Sequence, residues 1–263
     1  MKIIVSHDVD HLNWSEHWKD TFIPGLFRRT FLEWRQNKIS IGDIKKRFNL
    51  TSSLNQLESL SDFNIKNNVK ATFFFGMSKG LNLSYNFQNA LPFINMLMGR
   101  GFKIGLHGQS INKETEFLIE KNRFKALTGS YPEGIRNHYL RIDEMTHLLM
   151  NKSGYKYDST DYGFNSPYRV GDLWEFPIQS MDGWEYKELK ESGADWSLLD
   201  YTKSKIAIAL EKQLPFYVIN FHDIYFSQGY PLYYNWYVDL ITYLNHEGFA
   251  FVNFDDAINE LNG

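Results

Sequence analysis

Apolar residues recur along the chain in runs that switch between a strand-like and a helix-like period. β-rich runs occupy residues 2–8, 70–75, 102–107, 134–141, 157–160, 174–179, 216–222 and 249–254. Helical spacing fills residues 86–98, 114–127, 143–151 and 236–246. In the first of these, Phe87, Leu91, Ile94, Leu97 and Met98 share a face and Gly99 and Gly101 stop it; in the last, Val238, Leu240, Ile241 and Leu244 do so before Gly248. Strands alternating with helices predict α/β architecture, with parallel strands joined by helical crossovers. Seven or eight such units suit a closed barrel better than an open doubly wound sheet. No glycine-rich phosphate turn follows the first strand, as that second architecture would require.

Residues 12–68 break this rhythm, being far longer than one crossover. Trp14, Trp18 and Phe22, then Leu26, Phe27, Phe31 and Trp34, and later Leu54, Leu57, Leu60 and Phe63 keep helical spacing, so a helical insertion after the first strand is expected. Between residues 12 and 50 eight basic side chains face four acidic ones. That patch is expected to be the solvated face of a helical lid; its second reading is a contact to phosphates at a membrane surface, which would make the protein peripheral to the membrane. No linker divides residues 1–263, which predicts one domain.

Composition narrows the chemistry. Hydrophobic residues make up 43% and charged residues 22% of 263, which excludes disordered, collagenous and disulfide-scaffold classes. A net charge of −3 provides no global attraction for nucleic acid. Cysteine is absent, so thiol catalysis and thiolate metal sites are excluded and any metal must be held by His, Asp or Glu. The opening Met1-Lys2-Ile3-Ile4-Val5 is too short for a signal segment, and a cytoplasmic location is expected. Aromatic residues reach 17%, a surplus for which sugar-ring stacking is one outlet.

Polar residues concentrate at strand ends. Ser6-His7-Asp8-Val9-Asp10-His11 closes the first strand; in an extended chain Asp8 and Asp10 share one face while His7, Val9 and His11 take the other. Two carboxylates on one face either bind a cation or split their pKa values so that one acts as a base. Leu106-His107-Gly108 ends the third run, Arg136-Asn137-His138-Tyr139 the fourth, Asp158-Ser159-Thr160-Asp161-Tyr162 the fifth, and Phe221-His222-Asp223 follows a strongly apolar strand. Arg136 at a barrel mouth can hold a carboxylate base ionised, and His222 with a neighbouring acid can serve as a general acid. His17, His147 and His246 lie in helical stretches and receive no role.

Taken in this order, the motifs resemble those of the polysaccharide deacetylases with the NodB homology domain, carbohydrate esterase family 4, over nearly the whole chain outside the insertion. The branch most similar is that of bacterial O-antigen and surface-polysaccharide biosynthesis, whose first motif reads His-Asp-Val-Asp-His. The resemblance implies a distorted (β/α)7 barrel, a divalent metal, usually zinc, and hydrolysis of an N-acetyl group on a sugar or glycan intermediate. It implies Asp8 as general base, Asp10 and His107 as metal ligands, Arg136 orienting the base, His222 as general acid and Asp158, or else Asp161, supporting it. Tyr139 would line the sugar groove and lend its amide to the oxyanion; independently of the resemblance, Trp174, Tyr162, Tyr168, Trp184 and Tyr225 lie on loops after strands and could floor that groove. Val9 separates aspartates that are adjacent in the family, which leaves the labels on Asp8 and Asp10 exchangeable. The family's second histidine ligand falls at Ile111, which cannot ligate a metal; His11 is the expected replacement, with His138 and Asn112 as alternatives. The competing reading is a non-catalytic barrel that binds a glycan or a biosynthetic partner; a third is hydrolysis of a cyclic amide.

Overall fold

The computed structural model describes residues 1–263. Ten strands make one sheet: β1 (Lys2–Val9), β2 (Ala71–Gly76), β3 (Lys103–Gly108), β4 (Gly134–Asn137), β5 (Tyr157–Asp158), β6 (Tyr168–Val170), β7 (Leu173–Glu175), β8 (Ser180–Met181), β9 (Phe216–Asn220) and β10 (Phe251–Val252). They run in the order β6-β7-β5-β4-β3-β2-β1-β9-β8, with β10 beside β1, and only β6 against β7 is antiparallel. The parallel series from β5 through β1 to β8 curls into the distorted (β/α)7 barrel. Its seam is closed by a single bridge, Tyr162 to Ile178, rather than by a ladder.

Ten α-helices accompany the strands: α1 (Phe22–Arg35), α2 (Ile41–Arg47), α3 (Leu57–Lys66), α4 (Leu91–Gly99), α5 (Glu114–Thr128), α6 (Thr146–Lys152), α7 (Asp182–Ser192), α8 (Leu198–Glu211), α9 (Pro231–His246) and α10 (Phe254–Asn262). Helix α3 places Leu57 and Leu60 in the core with Ile3 and Val5 of β1, so it is the crossover from β1 to β2 although it lies inside the predicted insertion. The extra material is therefore a 3₁₀ turn at Trp14–His17 with α1 and α2. It packs through Trp14, Leu26 and Leu54 on Ile224 and Tyr230, and leaves Trp18, Phe27, Phe31 and Trp34 exposed. The basic patch is partly internal: Arg47 is buried, bonded to Glu33 at 2.7 Å and the Gly229 carbonyl at 2.9 Å. No helix is long and apolar enough to cross a membrane.

The two faces of the sheet separate the chemistry. Ile3, Val5, Val9, Phe73, Phe75, Leu106, Ile135, Tyr217 and Ile219 pack outward beneath the helices. Inside, Ile4, Phe74, Phe216 and Val218 fill the bottom with Phe254 and Ala257 of α10. Small residues make room there: a Cβ on Gly134 would fall 2.0 Å from the Tyr157 ring, and one on Gly105 2.5 Å from Phe74. By the period of two, the same interior rows then become polar toward the strand ends, reading Ile4-Ser6-Asp8 on β1 and Val218-Asn220-His222 on and beyond β9.

Beyond β3 the backbone is held by Glu120 of α5, whose carboxylate accepts the Gln109 N–H at 3.2 Å. Burial raises the Glu120 carboxyl to about 7. A folded-state value above the unfolded one means stability is fully present below pH ~4.5 and lost as pH rises through 7. Glu120→Gln is therefore expected to gain on wild type by up to about 3 kcal/mol between pH 5 and 8 in urea unfolding. An equal difference at both pH values would exclude this ionisation.

Candidate active site

A cavity of about 380 Å³ opens at the strand ends, with Asp8, Asp10, His11, His138, Asp182 and His222 among its lining residues. Phe22, Tyr139, Trp184 and Tyr225 supply aromatic walls. His7 points the other way into the core, where its Nδ1 donates to the Phe221 carbonyl at 2.9 Å and burial lowers its pKa to about 3.

Asp8 lies at the centre of a buried charge pair. Arg136 is 0% exposed, and its Nη1 donates to Asp8 Oδ1 at 3.1 Å, Ser6 Oγ at 2.7 Å and Asn220 Oδ1 at 2.8 Å. Its Nε and Nη2 donate to the Ser159 carbonyl and hydroxyl at 2.7 and 2.8 Å, and its guanidinium stacks 4.6 Å from the Phe74 ring centre. Asn220 Nδ2 donates to Asp8 Oδ2 at 2.8 Å. Burial, the largest influence, would raise the Asp8 carboxyl, but the charge of Arg136 together with those of His107 and His222 outweighs it and the net shift is downward, so Asp8 is ionised. Asp8 is the only acidic partner of Arg136, and Asp8→Asn would strand a buried cation. We expect that variant to lose about 3–5 kcal/mol in denaturant unfolding; a loss below about 1 kcal/mol would mean that Arg136 does not depend on Asp8.

The second group is Asp10, His107 and His138, whose ligating atoms lie within 4.8 Å of one another. His107 Nδ1 donates to the Arg136 carbonyl at 3.0 Å, and His138 Nε2 donates to the Leu81 carbonyl at 3.0 Å. A carbonyl only accepts, so both hydrogens are assigned, and in the neutral rings His107 Nε2 and His138 Nδ1 carry lone pairs. These two atoms face each other at 3.0 Å. Asp10 Oδ1, buried and without a hydrogen-bond donor, stands 3.2 Å from the first and 3.3 Å from the second. Three electron-rich atoms so placed could hold a cation between them, and two imidazoles with one carboxylate suit a zinc-like ion. The residues present thus fit a divalent metal.

His11, expected as the third ligand, stands outside this group: its Nδ1 faces His17 Nε2 at 3.1 Å, and His17 Nδ1 bonds Asp20 at 2.6 Å. The alternation along the strand already sets His11 on the face opposite Asp8 and Asp10, and beyond the end of β1 at Val9 its ring is committed to His17. Ile111 offers only its carbonyl, to Thr146.

The third group is His222 and Asp182. His222 Nδ1 donates to Asp182 Oδ2 at 2.9 Å, the His222 backbone N–H bonds the same oxygen at 2.7 Å, and Nε2 stands 3.7 Å from Asp10 Oδ2. Burial alone would lower the His222 imidazole; the Asp182 carboxylate, backed by Asp10 and Asp8, reverses that and raises it well above the ordinary histidine value. Asp158, expected in this supporting role, lies instead beside His147 and Glu175 and does not line the cavity. Asp161 is 3.5 Å from His147 rather than near His222. Asp223 turns away and accepts the Gln56 N–H at 3.1 Å.

At the rim, Tyr139 adopts φ 60°, ψ 20° and Leu140 φ 52°, left-handed values that non-glycine residues rarely hold. Asn137 Nδ2 pins this turn by donating to the Arg141 carbonyl at 2.9 Å. Tyr139 is thereby exposed over the cavity. Trp174, expected beside it, is absent from the lining and stacks under Arg169 at 5.0 Å; Trp184 of α7 is the tryptophan that faces the cavity.

No family model and no curated protein matches the sequence. Solved structures do share the fold. A candidate polysaccharide deacetylase of Mycobacterium smegmatis superposes with a TM-score of 0.64 at 16% identity, over 98% of this chain and 88% of that one. A candidate polysaccharide deacetylase of Pseudomonas aeruginosa PAO1 gives 0.57 at 20% identity, over 77% and 71%. A CE4 family pseudoenzyme of Bacillus anthracis gives 0.50 at 11% identity, over 97% and 64%. The fold is that of the polysaccharide deacetylases. It carries at least one protein described as a pseudoenzyme, so the fold alone does not decide activity.

Proposed function

We propose that the protein is a metal-dependent deacetylase that removes the N-acetyl group from a sugar or glycan intermediate of bacterial surface-polysaccharide assembly. The observation that carries this reading is the convergence, on one cavity, of the Asp10–His107–His138 group with an ionised Asp8 and an Asp182-supported His222. Asp10, His107 and His138 would hold the ion, with zinc the expected metal, and when bound it supplies Lewis acidity toward a water and an amide carbonyl.

The chain's own groups complete the chemistry. Asp8, kept ionised by Arg136 and fixed by Asn220, takes a proton from the attacking water as the carbon–oxygen bond forms. The backbone N–H of Tyr139, held at the rim by its left-handed turn, would meet the substrate carbonyl, and the aromatic walls would stack on a sugar ring. When the carbon–nitrogen bond breaks, the leaving amine needs a proton, and His222, whose imidazole its carboxylate neighbours raise well above the ordinary histidine value, stands in the cavity to give it. The products are acetate and a free amino sugar.

The test is acetate release from nucleotide-linked and oligomeric N-acetylhexosamines by zinc-loaded protein, with a chelator control. Release that the chelator abolishes and zinc restores is expected. No turnover across that panel under zinc, cobalt and nickel saturation would overturn the reading.

A further inference from the structure

We propose that the chain holds a second divalent cation, of the zinc class, between His147 of α6, Asp158 at the end of β5, Asp161 just beyond it and Glu175 at the end of β7. None of the four lines the catalytic cavity. The register of β5 on β7 sets Asp158 directly beside Glu175, and both side chains are 0% exposed.

Each acid uses one oxygen to hold structure and turns the other inward. Asp158 Oδ1 accepts from the Ser159 N–H at 2.8 Å and the Thr160 hydroxyl at 2.6 Å. Glu175 Oε1 accepts from the Thr160 and Asp161 N–H groups at 3.2 and 2.9 Å, and Asp161 Oδ2 accepts from the Tyr168 hydroxyl. The remaining atoms, Asp158 Oδ2, Asp161 Oδ1, Glu175 Oε2 and His147 Nε2, are all buried and all lack a hydrogen-bond partner. They converge: His147 Nε2 lies 3.4, 3.5 and 3.7 Å from the three oxygens in that order.

Three carboxylates gathered around one imidazole, with no lysine or arginine paired to any of them, are costly to bury without a positive charge. Arg169, on β6, stacks on Trp174 instead. Zinc bonds to nitrogen and carboxylate oxygen of about 2.0–2.2 Å place tetrahedral corners about 3.3–3.6 Å apart; the ligand atoms of His147, Asp158 and Glu175 lie within 4.8 Å of one another, and Asp161 approaches that group from the His147 side. The imidazole favours a borderline ion over calcium or magnesium. Such an ion would brace residues 158–160, and Ser159 of that segment carries two of the Arg136 bonds. The site therefore positions the Arg136–Asp8 pair without touching substrate.

Zinc sulfate alone is the probe, with stoichiometry by elemental analysis after equilibrium dialysis at pH 7.5 and affinity by calorimetry. Wild type is expected to bind two equivalents, His147→Ala one, and His107→Ala/His138→Ala one. In that double variant, adding His147→Ala or Glu175→Gln is expected to weaken the remaining equivalent at least tenfold. Failure of the catalytic-site reading would remove the other equivalent, so the two ideas fail separately. The proposal is overturned if the double variant binds no zinc, or if its zinc is indifferent to both His147→Ala and Glu175→Gln; the four groups would then be sharing protons.

Discussion

Replacing His138 with alanine is expected to cost the protein the zinc of its catalytic cavity and about three orders of magnitude in acetate release, the scale of losing several kcal/mol of Lewis-acid stabilisation. His11→Ala is expected to leave that zinc in place. The contrast is sharp because both imidazoles are buried close to Asp10 in the chain or in space, yet only one aims a lone pair at it. The Leu81 carbonyl takes the Nε2 hydrogen of His138 and so commits Nδ1 to Asp10 and His107. His11 is paired with His17, and burial lowers its pKa to about 3. Calorimetric zinc titration of the two variants checks this, and zinc retained by His138→Ala but lost from His11→Ala would move the site.

Much of the barrel was legible because it depends on local pattern. The alternation along Ile4-Ser6-Asp8 and Val218-Asn220-His222 is written in consecutive residues, and so is the placing of polar groups at the ends of apolar runs. What escaped is what the seam decides. Residues 174–179 read as one strand, but Pro177 cannot donate to a ladder, and the chain divides there into β7 and β8 on opposite sides of the opening. β8 then delivers Asp182 to the mouth beside His222, a placement that no spacing within the segment announces.

The same division explains His147. It sits in the first turn of a short helix, and Asp143 and Glu144, four and three residues earlier, precede that helix; its three acidic neighbours come instead from β5, β7 and the segment following β5. Glu175 is hidden further by its apolar surroundings, Leu173-Trp174-Glu175-Phe176. Clusters assembled wholly by strand register carry no linear signature, whereas those built on one strand end, such as Asp8 with Asp10, do.

Asp182→Asn should leave the fold and substrate binding near wild type while lowering kcat by about 10²–10⁴-fold, the usual contribution of a positioned proton donor and its orienting carboxylate. The asparagine amide retains the size of the side chain but not the charge that favours the imidazolium. With burial then dominant, the His222 pKa falls. Because the charged imidazole is the reactive form, the alkaline limb of the kcat profile should move to lower pH, and the deficit should be greatest at high pH and smallest at low pH. Asp158→Asn is the discriminating control. It removes an acid that touches His147 and Ser159 rather than His222, so it should lower stability without moving that limb. Were Asp158→Asn to displace the limb and Asp182→Asn to leave it fixed, the proton that completes amide cleavage would have to come by another route than the Asp182–His222 pair.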